Sequence, residues 1–225
     1  MTSPPAGTAH LPDAGADAPG DVLARIERCR VLPVVTADPS DVAMVGRALV
    51  AGGLPCIEIA FRRPDAADAV RAAAGVQGLL VGAGTLLSAQ NVACAAAAGA
   101  RFGVAPGLDE DVLACARSLS LPFIPGVATA SEAIRARRAG ANVMKVFPAA
   151  QLGGPGFVRA LSEVFRDVRF IPTGGVDRST LSDYLSLPSV LACGGSWVVS
   201  AADVRERAFE RIAATAREIV SIASR

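Results

Sequence analysis

The chain has 225 residues, 52% of them hydrophobic, with a formal net charge of +1. That length fits one well-buried core, and the scattered basic residues leave no electrostatic footprint for nucleic acid. No stretch approaches the roughly 18 continuous apolar residues of a membrane helix, and five widely spaced cysteines without a C-x-x-C pair fit neither a disulfide framework nor a structural zinc site.

Residues 1–19 are rich in Pro, Ala and Gly and lack a basic start or an apolar run, so they read as a disordered tail rather than a signal peptide. A single domain is expected over residues 20–225. It opens on a helix at Asp21–Cys29, followed by a first strand at Val31–Val35. Further strands are expected at Cys56–Ala60, Leu79–Ala83, Phe102–Ala105, Phe123–Ile124, Val143–Phe147, Arg169–Ile171 and Val190–Cys193. Helical stretches such as Asp41–Ala51, Ala66–Ala74, Ala89–Ala98 and Ser131–Ala139 lie between them. Ser40, Asp65, Ser88, Asp109 and Thr129 are placed as N-caps, and Gly52, Gly75, Gly99 and Gly140 as helix ends.

This βα alternation, with short connections, predicts a (β/α)8 TIM barrel with an N-terminal helix before the first strand. An open doubly wound sheet is the runner-up, but no G-x-G-x-x-G follows Val35. Cysteines in apolar, Ala-rich surroundings behave as small hydrophobes and point to a reduced, cytoplasmic compartment.

Active sites of such barrels lie where the strands end. Side chains alternate along a strand, so Glu58 and Lys145 both project into the interior while Ile57, Ile59, Met144 and Val146 face the helices. Lys145 is the chain's single lysine, against 21 arginines. A G/C-rich genome explains the arginines, but a guanidinium stays protonated and cannot condense with a carbonyl. A lysine kept inside a strand therefore points to an amine nucleophile. Burial among apolar side chains and a nearby arginine both favour the neutral, reactive amine. Arg62, just past the second strand, fits that second role and is also suited to grip a carboxylate.

Glu58 is either a buried ion-pair partner or a general acid/base. The only histidine, His10, lies in the tail, which leaves a carboxylate as the base and argues against a His-rich metal site. Pro172–Thr173–Gly174–Gly175 and Gly194–Gly195–Ser196 end the last two expected strands. These are either tight turns or phosphate loops whose bare glycines let backbone N–H groups approach an anion.

From about Val31 to Arg217 the chain resembles the 2-keto-3-deoxy-6-phosphogluconate (KDPG) / 4-hydroxy-2-oxoglutarate (KHG) aldolases. The matching phrases are Ala48–Gly53, Glu58 with Arg62, Val81–Thr85, Pro106–Gly107 and Ile124–Gly126. Lys145 with Phe147–Pro148, Pro172–Gly175 and Gly194–Trp197 complete them. The resemblance implies a class I aldolase in which Lys145 forms the Schiff base and Glu58 handles protons. Arg62 and Thr85 would hold the pyruvate moiety, and Pro106 and Phe147 would pack on the imine. Thr173 would govern stereochemistry, and Gly174, Gly175, Gly195 and Ser196 would take the phosphate. It further implies a homotrimer with no metal or organic cofactor, acting in the Entner-Doudoroff pathway. Two positions depart from the family pattern: Ala60 replaces a common threonine, and Ala150 a common acidic residue. Rival readings are a sugar-phosphate epimerase or isomerase, an aldolase for the galactonate-derived epimer, and a non-catalytic oligomeric barrel.

Overall fold

A computed structural model describes residues 19–224. The expected tail, with His10, lies outside the described residues, apart from Pro19, which starts the first helix. The elements run α1 (Pro19–Cys29), β1 (Val31–Val35), α2 (Pro39–Ala51), β2 (Cys56–Ala60), α3 (Ala66–Ala74), β3 (Leu80–Gly84) and α4 (Ala89–Ala97). They continue with β4 (Phe102–Val104), α5 (Glu110–Ser118), β5 (Phe123–Ile124), β6 (Gly126–Val127), α6 (Ala130–Arg138) and β7 (Val143–Val146). The last are α7 (Gly154–Val164), β8 (Arg169–Pro172), α8 (Leu181–Leu185), β9 (Cys193–Gly195), α9 (Ala201–Arg205) and α10 (Phe209–Ala223). No helix among the described residues is long and apolar enough to cross a membrane.

All strand pairs are parallel, as helical crossovers require. Hydrogen bonding divides them into a six-stranded sheet, in order β5-β4-β3-β2-β1-β9, and a three-stranded sheet, β6-β7-β8. This differs from the single ring of eight expected. The fifth expected strand, Phe123–Ile124, is present as β5, but Pro125, which has no N–H to donate, separates it from an additional strand, β6, and the two bond to different neighbours. The last strand also shifts: Val190 makes only an isolated bridge to Phe170, and the ladder to β1 begins at Cys193, whose N–H donates to Arg30 O at 2.9 Å. The glycines expected in a loop thus lie in the strand, with Gly194 opposite Leu32 and Gly195 opposite Pro33.

The strands are buried along nearly their whole length, so helices cover the outer face, and Ile57, Ile59, Met144 and Val146 are at most 1% exposed. Cys56 and Cys193 belong to this core. Burial pushes the Cys193 thiol up to about 12, as suits an inert apolar filler.

Helix caps divide by chemistry. Ser88, Asp109 and Thr129 accept from backbone N–H groups in the first turns of α4, α5 and α6. Ser40 does not cap: Pro39 occupies the first turn of α2, needs no partner for a missing N–H, and moves the cap back to Asp38. Asp65 stands at the cap of α3 without bonding its backbone, because Arg63 takes both its carboxylate oxygens at 2.8 Å.

The start of α6 is a reciprocal box. Thr129 Oγ1 accepts from Glu132 N at 3.2 Å, and Glu132 accepts from Ala128 N at 2.8 Å. That amide is the main cause holding the Glu132 carboxyl below its usual range. Thr129→Ala should cost about 1 kcal/mol, read from the denaturant midpoint at unchanged slope. A midpoint equal to the parent's would mean that the box contributes nothing.

Candidate active site

Apart from cysteines and Tyr184, which pack with the core, the buried polar side chains among the described residues are Glu58, Lys145 and Thr173. An unpaired interior charge is costly, so such groups survive only where something answers them. Glu58 is the third residue of β2 and Lys145 the third of β7, and they meet across the interior. Lys145 Nζ donates to Glu58 Oε1 at 3.4 Å, with side chains 6% and 1% exposed. The distance is at the long end for a hydrogen bond, leaving room for both groups to engage a third.

Two neighbours shape this pair. Lys145 Nζ stands 5.5 Å from the centroid of the Phe147 ring, which gives the ammonium a cation–π partner. On the other side, a Cβ added to Gly84 would lie 1.9 Å from Glu58 Oε1. Gly84, the last residue of β3, is therefore the bare floor on which the carboxylate rests, a close approach that a glycine in a strand signals. The sequence reading gave Gly84 no role, although this signal was present in Val81–Gly82–Ala83–Gly84–Thr85.

The Gly84 backbone has no positive φ, so the nearest obstacle to an alanine there is the Glu58 side chain. Gly84→Ala should lower kcat by roughly 100-fold, the lower end of what general acid/base catalysis contributes, because the added methyl must displace the Glu58 side chain. A fall in melting temperature with kcat intact would show that Gly84 serves packing alone.

The remaining candidates sit at the carboxyl ends of the strands. Thr85 directly follows β3 with φ +58, an uncommon conformation for a β-branched residue and one that clusters at functional sites. Arg62 lies two residues past β2, exposed and with no ion pair among the described residues. Pro106 follows β4 and stands against Gly126, whose added Cβ would come within 2.1 Å of the Pro106 carbonyl carbon. Among the described residues, no hydrogen bond or ion pair links Arg62, Thr85 or Pro106 to the Glu58–Lys145 pair.

At the far side, Gly174 and Gly175 have φ of +91 and +75, a left-handed turn that favours glycine. A Cβ on Gly174 would stand 3.1 Å from the Phe147 ring, so this ring neighbours both Lys145 and the turn. Backbone bonds from Ala149 N to Thr173 O (2.8 Å) and Ala150 N to Gly174 O (3.0 Å) tie the β7 and β8 loops together.

The second glycine pair has a different physical cause. A Cβ on Gly194 would come 2.2 Å from Thr173 Oγ1, and one on Gly195 would come 2.3 Å from Trp197 Nε1. These strand glycines make room for side chains. Ser196, directly after β9, is exposed.

A family model described as KDPG and KHG aldolase matches residues 22–215. The 2-dehydro-3-deoxy-phosphogluconate aldolase of Treponema pallidum is 40% identical over 203 residues, covering 89% of this chain and 97% of that protein. Among solved structures, the 2-keto-3-deoxy-6-phosphogluconate aldolase of Zymomonas mobilis with 3-phosphoglycerate has a TM-score of 0.84 at 38% identity. The match covers 90% of this chain and 96% of that one. The KDPG aldolase of Legionella pneumophila, with pyruvate captured as a covalent carbinolamine intermediate, has a TM-score of 0.84 at 34% identity and coverages of 88% and 97%. Likeness at this level over nearly the full length of both partners means that the chain belongs to the KDPG and KHG aldolase family.

Proposed function

We propose that the protein is a class I aldolase that cleaves 2-keto-3-deoxy-6-phosphogluconate to pyruvate and glyceraldehyde 3-phosphate, with 4-hydroxy-2-oxoglutarate as a second substrate. The observation that carries this reading is the pair formed by the single lysine with Glu58, the two charged side chains buried in the interior among the described residues.

Lys145 attacks the C2 ketone, and Glu58 delivers the proton that lets water leave, giving an iminium. The iminium accepts the electron pair of the C3–C4 bond as the C4 hydroxyl loses its proton. Glyceraldehyde 3-phosphate departs, the enamine is protonated at C3, and water returns to C2 to release pyruvate and the free amine. Arg62 holds the pyruvate carboxylate with help from Thr85, while Phe147 and Pro106 flank the planar imine. Thr173, buried at the end of β8, reads the configuration of the carbon that becomes the aldehyde. Gly174, Gly175, Gly195 and Ser196 receive the phosphate, the turn through its N–H groups and Ser196 through its hydroxyl.

The same reading treats the two sheets as arcs of one closed (β/α)8 barrel formed by residues 20–225. The bridges Phe170↔Val190 and Thr173↔Gly194 support closure on one side, and the single residue between β5 and β6 supports it on the other. The active form is a cytoplasmic homotrimer, as the family resemblance implies.

The test is pyruvate release from the six-carbon substrate in the presence of EDTA. Turnover at the rate seen without chelator is expected. Loss of activity restored by a divalent ion, or no pyruvate at all, would overturn the reading.

A further inference from the structure

Among the described residues, three buried side-chain polar atoms have no hydrogen-bond partner: Arg169 Nε, Ser189 Oγ and Trp197 Nε1. Such orphans are costly, so they are rare unless something external satisfies them. Two of the three belong to residues, Arg169 and Ser189, that line one groove of about 540 Å³. Arg159, Ser162, Arg166 and Ser186 share it.

This groove lies at the opposite end of the fold from Lys145. Arg169 opens β8 while Thr173 follows its end, and Ser186 and Ser189 lie between α8 and β9. Its electrostatics are one-sided. Arg159 and Arg166 have no ion pair among the described residues, and Arg169 gives only Nη2 to Glu27, at 2.9 Å. Ser162 and Ser186 spend their hydroxyl protons on the carbonyls of Arg159 and Asp183, each at 2.8 Å. The donors around the groove that lack a protein partner therefore belong to three guanidinium groups and the Ser189 hydroxyl.

We infer that this groove is a second anion site, one that takes inorganic phosphate or the phosphate of a small phosphate monoester. A dianion with several acceptor oxygens matches guanidinium geometry and offsets unpaired positive charge, which a bridging water cannot do. The volume lies within the range of small-molecule sites.

Calorimetric titration tests this with inorganic phosphate and, separately, glycerol 3-phosphate. Both probes go into the full chain, its Ser196→Asp variant, and each of these carrying Arg166→Gln or Ser189→Ala. Ser196→Asp removes phosphate binding proposed for the opposite end. Binding should persist in Ser196→Asp and weaken by about tenfold with either groove substitution. Arg166 is exposed, so its variant keeps the fold even if Ser189→Ala does not.

A tighter fit for the ester would identify a phosphorylated metabolite as the ligand, and equal affinities would identify free phosphate. Binding that vanishes in Ser196→Asp, or that ignores both groove substitutions, overturns the inference. Aldol cleavage by Arg166→Gln should match the parent either way, so failure here leaves the aldolase reading standing.

Discussion

Lys145→Arg should lose aldol cleavage by roughly 10⁴-fold or more while remaining folded, because removing a covalent nucleophile abolishes the chemical step itself. Arginine keeps the positive charge that Glu58 needs, so the buried pair survives in altered form. Lys145→Met is a poorer probe. It strips Glu58 of its partner, and breaking one half of a buried pair costs about 3–5 kcal/mol, which confuses loss of chemistry with loss of fold.

Borohydride reduction in the presence of pyruvate makes the test direct. The parent should gain a single covalent adduct on the peptide carrying Lys145, and Lys145→Arg should gain none. With one lysine in the chain, the only other amine available is the chain terminus. An adduct confined to the terminus, or cleavage that survives in Lys145→Arg, would remove the Schiff-base mechanism.

Ser196→Asp should separate the phosphate end of the substrate from the reacting end. A new carboxylate beside a phosphate costs several kcal/mol, so kcat/KM on the six-carbon phosphorylated substrate should fall roughly 100-fold. Cleavage of 4-hydroxy-2-oxoglutarate, which lacks the phosphate and has a shorter reach, should change far less. Remote binding energy can act through kcat as well as KM, so kcat/KM is the quantity to compare. Ser196 is chosen over the glycines because it is exposed. A side chain at Gly175 would meet Ala150 at 2.4 Å and one at Gly195 would meet Trp197 at 2.3 Å, so their replacement disturbs packing as well. Equal losses on the two substrates would withdraw the phosphate assignment from this end of the fold.

Much of the fold was legible because its signals are local. The strand bounds at Val31–Val35, Cys56–Ala60 and Phe123–Ile124 and the helix at Ala66–Ala74 follow from β-branched runs and Ala-rich stretches closed by turn residues. Alternation alone placed Glu58 and Lys145 on inward faces, since a strand has only two. Where the reading slipped, a neighbour decided. Ser40 looked like a cap until Pro39 took the helix start, and Asp65 until Arg63 claimed its carboxylate. The final strand slipped for a similar reason: its bounds depend on which backbone groups β1 offers, and those begin at Cys193.

By itself the sequence determined the βα alternation, the lone lysine inside a strand and the absence of any other residue able to form an imine there. These are properties of residue type and spacing, which do not depend on what lies across the fold. Only the tertiary structure decided the 3.4 Å approach of Lys145 to Glu58, two residues 87 positions apart. It alone revealed Gly84 as the floor beneath the carboxylate, and it showed that Gly174–Gly175 is a true left-handed turn whereas Gly194–Gly195 is a strand cleared for Thr173 and Trp197. The physical reason is that a glycine's sequence neighbours do not record why its side chain is missing. Conformational need is set by local φ, whereas steric need is set by a side chain arriving from another strand.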